Sequence, residues 1–288
     1  TTFGDNGTSL VFSGEHANDN GLTTFFNLDL DGFDTTDAAS DFQGASDTDN
    51  DVDEASVGVR GSFGEIRVGS DIGVYDSYAD CGDIEWIGNR TSFSNSDVDD
   101  VVQYSNTVGG VDFTLQAQVG DQSTDDDNES STSLGAGASV DLGGVTLSGA
   151  YEEGANTDDE EAIYGIGAMA NLGGVDFTVG YEEDQTEANS IDKIVLNAAY
   201  TVNAITITGS VQNVSFDENP VSAQNDAADE NSRDPESTVD QDDDSFTETH
   251  LSVAYNLTPQ FTVWAEAVRN DRLNDEGDYN GVGLYYAW

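Results

Sequence analysis

Lysine and cysteine each occur once in this 288-residue chain, and proline only three times. The lone Cys81 excludes an internal disulfide, which a closed sheet does not need. Seven basic residues cannot build a patch that neutralises a phosphate backbone, so nucleic acid is excluded as a partner. The same shortage argues against selection of phosphate or other anions, which needs a ladder of arginine or lysine. No stretch approaches the roughly 20 consecutive apolar residues of a membrane helix. No basic and apolar signal segment opens the chain, and we expect the gene product to begin upstream of Thr1.

What the chain has in excess is acid. Asp and Glu number 58, and the formal net charge is −51. Self-repulsion of this kind opposes a compact state at low ionic strength. At about 1 M salt the Debye length falls to roughly 3 Å and the repulsion is largely screened. We read the surface as that of a protein from a salty medium. A disordered acidic chain would carry the same charge. It would not carry the regular alternation found here.

That alternation is clearest over 111–119, VDFTLQAQV, where odd positions are apolar and even positions polar. A strand sends successive side chains to opposite faces, so this segment has one apolar and one wet face. The pattern recurs at 8–16, 21–31, 52–61, 63–71, 98–106, 109–120, 131–142, 144–153, 160–171, 174–183, 190–201, 203–216, 245–256, 259–270 and 277–288. Short connections fall at 17–20, 62, 107–108, 143, 172–173, 202 and 257–258. They alternate with long polar ones at 32–51, 72–97, 121–130, 154–159, 184–189, 217–244 and 271–276. Short turns at one rim and long loops at the other predict an all-β fold. Specifically, they predict one antiparallel transmembrane β-barrel domain over 1–288, with lipid outside and water inside. A soluble β-sandwich would not need such strict alternation of loop length. Fifteen strands is odd, whereas bacterial single-chain barrels are even. We therefore expect sixteen in the intact protein, with Trp288 pairing to a strand before Thr1, or residues 1–7 doubling back.

The segments GTSLVFSGE at 7–15, VGVRGSFGEIRVG at 57–69, QYSN at 103–106 and GVGLYYAW at 281–288 resemble general diffusion porins of Gram-negative outer membranes. The resemblance implies a sixteen-stranded barrel in outer-membrane lipid, a homotrimer, and passage of small hydrophilic solutes and ions. It also implies that the loop at 72–97 folds inward as a constriction, with Asp76, Asp80, Asp83, Glu85 and Asp97 at or near the eyelet. Arg67 keeps one of the arginines that such proteins set opposite the loop. Ser9, Ser70 and Ser105 stand where the family often has more, so a cation-preferring pore is expected.

Other pore candidates come from the wet faces of the predicted strands: Glu65, Arg60, Lys193, Trp264 and Glu266, with Asp112, Asp176 and Glu182. His16 and His250 are far apart in the strand map with no nucleophile beside them, and no enzyme is expected. The run 47–54 begins like a calcium loop, with Asp47, Asp49, Asp51 and Asp53. Val52 occupies the place of the sharp-turn glycine, so only loosely bound divalent cations and no dedicated cofactor are expected. The alternative function is an outer-membrane barrel that acts through its acidic loops as an adhesin or binding protein.

Overall fold

A computed structural model describes residues 10–30, 52–70, 72–79, 98, 100–119, 133–153, 162–185, 190–216, 245–271 and 278–286. The first strands are β1 (Leu10–Ala17), β2 (Thr23–Leu30), β3 (Val52–Gly61) and β4 (Gly64–Ser70), followed by a short helix α1 (Val74–Tyr78). Next come β5 (Val101–Val108), β6 (Val111–Gln118), β7 (Leu134–Asp141), β8 (Val145–Glu153), β9 (Ala162–Leu172) and β10 (Val175–Asp184). The chain continues with β11 (Ile191–Val202), β12 (Ile205–Phe216), β13 (Ser245–Thr258), β14 (Phe261–Asn270) and β15 (Tyr279–Tyr286). All fifteen strands lie in one sheet in chain order, each antiparallel to its neighbours. Among the described residues β1 and β15 form the two flanks and do not pair with each other. Trp288, expected to pair beyond β15, lies outside the described residues.

The faces of the sheet follow the period-2 pattern. On β6, Thr114, Gln116 and Gln118 are buried on the inner face, while Val111 and Leu115 are exposed on the outer. Burial is inverted relative to a water-soluble protein: outward Val282 is 81 % exposed, and inward Glu182 is 0 % exposed. Lipid is the solvent for such an outer face, and the ladder satisfies the strand amides that hydrocarbon could not.

Five of the seven short connections begin one or two residues further along the chain than expected, because pairing persists up to the residues best suited to turn. Val108 pairs with Val111, leaving Gly109 and Gly110 at φ 64° and 87°. Both φ values are positive, as a two-residue hairpin turn requires and as glycine permits. Between β12 and β11 the same place is taken by Asn203 and Ala204, with Asn203 at φ 55°.

Candidate channel lining and constriction

α1 is the one helix among the described residues, and it lies on the inner face against β6, β7, β8 and β9. Its sequence explains the contact. Val74 and Tyr78, and Tyr75 and Ala79, are spaced four apart and so share one side of a helical turn. Val74, Tyr75 and Ala79 are each 0 % exposed, and Tyr75 and Ala79 cluster with Ala150 and Ile163 of the wall, with Tyr78 packed beside them. Full burial of such side chains contributes roughly 1.5–3 kcal/mol each.

Polar tethers add to this packing. The backbone N–H groups of Val74 and Tyr75 donate to one Glu152 carboxylate oxygen at 3.1 and 3.3 Å. These donors have no partner within the helix, and a carboxylate opposite them is favoured by charge as well. The Tyr75 hydroxyl donates to Glu182 at 2.5 Å, and Tyr78 shares a hydrogen bond with Thr114 at 2.9 Å. Gln103 donates to Gln116 at 2.7 Å, and Gln116 donates to the same Glu152 oxygen at 3.2 Å. Arg67, Gln103, Gln116, Gly135 and Glu152 are consecutive register partners across β4 to β8. One row of wall residues therefore leads from Arg67 to the start of α1.

Among the described residues, every arginine and lysine of the wall is engaged by an acid. Arg67 pairs with Glu54 and also donates to Ser56 at 3.0 Å. Arg60 pairs with Glu15, lies 3.9 Å from Glu65, and stacks 5.5 Å from the centre of the Phe25 ring. Lys193 sits 2.8 Å from Glu182, its cross-strand partner. Arg269 points outward instead, 3.6 Å from Asp278. Exposed inner-face acids remain at Asp112 and Asp176, near the short-turn rim.

Several expected pore residues sit differently. Glu182 and Glu266 are inward but buried, Glu266 accepting a hydrogen bond from Tyr279 at 3.2 Å. They bind the wall rather than present charge to the lumen. Trp264 also faces inward, but its indole lies over Gly283 on β15, so it covers the wall instead of projecting from it. Asp76 is half-buried on α1. Asp80, Asp83, Glu85 and Asp97 lie outside the described residues, as do Asp47, Asp49 and Asp51 and the side chain of Asp53. His250 is buried in the wall 2.7 Å from Glu248, while His16 is an exposed residue of β1. Tyr75, Tyr78, Glu152 and Glu54 also belong to this site, and strand alternation alone does not single them out as such. The helical spacing of 74, 75, 78 and 79 was the available signal.

A helix held against the inside of a lipid-facing barrel narrows whatever passes, which places this protein among outer-membrane channels. The model of the Gram-negative porin family matches residues 1–276, and the chain belongs to that family. Two Halomonas proteins are each 25% identical over 315 residues, covering 99% of this chain and 83% of the relative. One is a monosaccharide porin of Halomonas sp. and the other the major outer membrane protein of Halomonas elongata. Among solved structures, Salmonella typhi OmpF aligns with a TM-score of 0.68 at 16% identity, over 96% of this chain and 89% of that one. The protein is therefore an outer-membrane porin.

Proposed function

We propose that the channel prefers cations and passes small hydrophilic solutes of monosaccharide size. The preference rests on one observation: Arg60, Arg67 and Lys193, the inward basic residues among those described, each face a glutamate. Their charge is offset at the wall, whereas among the described residues Asp112 and Asp176 are bonded by the neutral Thr107 and Asn171 and face no basic partner of this kind. Unit charges about 4 Å apart interact by roughly 1 kcal/mol in bulk water and about 4 kcal/mol at an effective dielectric near 20. Even the lower value biases ion entry roughly five-fold. The solute class is suggested by the Halomonas monosaccharide porin. Residues 72–97 supply the constriction and the eyelet acids, the protein works as a homotrimer, and divalent cations associate loosely with the acidic loops. A halophilic bacterium as host accords with the net charge of −51 and the Halomonas relatives.

The test is conductance in planar bilayers with ions of unequal size. Replacing chloride by a bulky organic anion is expected to change the conductance little, and replacing potassium by a bulky quaternary ammonium to lower it strongly. The opposite order would overturn the cation preference. No conductance at all would favour the adhesin reading instead.

A further inference from the structure

We infer that three glycines of the barrel wall, Gly135 and Gly137 on β7 and Gly165 on β9, set the bore of the channel; this rests on the pore reading above. All three face inward beneath α1. A Cβ at Gly135 would stand 2.5 Å from a Val74 methyl group. At Gly137 it would run into the ring of Tyr78. At Gly165 it would stand 2.7 Å from the Tyr75 hydroxyl and 2.9 Å from the Ala79 methyl group. Ordinary carbon contacts lie at about 3.5–4.0 Å, so α1 is closer to the wall than any wall with side chains there would allow.

The helix has little other means of making room. Ala79 has no rotamer to change. Tyr75 is fully buried and its hydroxyl is held by Glu182, so its ring cannot swing aside without losing that bond. The wall is braced by continuous pairing of β7 with β6 and β8, and of β9 with β8 and β10. Added volume at these positions is therefore relieved by moving α1 off the wall, and off the wall means into the lumen. The wall glycines thus act as positioning residues for the constriction: the bore is wide because the seat is deep.

The experiment compares single-channel conductance and the uptake rate of sugars of increasing size into liposomes. The full-length protein, Gly135→Ala, Gly165→Ala and the double variant Gly135→Ala/Val74→Ala are measured in parallel. Gly149→Ala is the control for crowding that does not involve α1: Gly149 lies on the outer face of β8, and a Cβ there would stand 3.0 Å from the Gly165 carbonyl oxygen and 3.1 Å from an Ile166 methyl group. Heat-modifiable migration on gels confirms that each variant forms a barrel. Gly135→Ala and Gly165→Ala are expected to lose conductance and to exclude sugars that the parent admits. Trimming Val74 is expected to restore both properties to Gly135→Ala, and Gly149→Ala is expected to match the parent. A conducting parent with folded glycine variants of unchanged conductance and size limit would overturn this inference alone. So would a loss in Gly149→Ala equal to that in Gly165→Ala, since general destabilisation would then account for both. A silent parent would overturn the pore reading, and this inference with it.

Discussion

Arg67 shows how much one side chain can decide in a wall so poor in cations. It is tied to Glu54 and Ser56, so its removal does two things at once. It deletes a positive charge and leaves the Glu54 carboxylate, 25% exposed, without that partner. We predict that Arg67→Ser raises both conductance and cation preference, read as a larger reversal potential across a potassium chloride gradient. An unchanged reversal potential would show that Arg67 does not face the ion path. A second prediction concerns the outer face. Leu115 lies mid-strand and 52% exposed on the lipid side, whereas Thr208 is half-buried on the inner face. Leu115→Arg is expected to cost about 2–4 kcal/mol of folding free energy in bilayers, as charges do at mid-depth on the lipid face of barrels. Thr208→Arg should cost much less. Equal costs from urea titration in lipid vesicles would mean that the two faces are not lipid and water.

At the scale of elements, the strands were legible and the helix was not. A strand with one face in lipid and one in water must alternate, so the period alone located all fifteen strands to within a few residues. Turn positions were less legible, because Val108 and Val202 read as loop residues yet still pair, and the turns wait for Gly109 and Asn203. α1 was missed because five residues carry too little periodicity to stand out, and what holds them is distant in sequence. Glu152 is 78 residues from Val74, and Glu182 is 107 from Tyr75. Glu182 reads as lumenal charge from pattern alone, and nothing in the pattern marks out Glu152. Only the tertiary arrangement makes them tethers. The role of Glu152 can be tested through hydrogen exchange. Hydrogen bonds to a charged acceptor contribute about 1.5–3 kcal/mol, equivalent to roughly one to two powers of ten in an opening equilibrium. Glu152→Gln is expected to speed exchange at the Val74 and Tyr75 amides by up to that factor and to add noise to the open-channel current. Exchange at the parent rate would mean that packing on the wall glycines suffices to hold α1.

At the scale of the whole molecule, the outstanding property of the chain is its excess of acid, 58 Asp and Glu against 7 Lys and Arg. The chain carries a net charge of −51, and the described basic residues of its inner wall are matched by acids. Fold likeness does not decide selectivity, since it records the path of the backbone and not the charges along it. The central claim is that this pore prefers cations, and reversal potential tests it most directly. The protein is reconstituted in a planar bilayer under a fixed ratio of potassium chloride, once near 0.01 M and once near 1 M. The Debye length falls from about 30 Å to about 3 Å between these conditions. The account predicts a reversal potential of cation-selective sign at both concentrations, smaller at the higher one. Anion-selective sign at either concentration would contradict it.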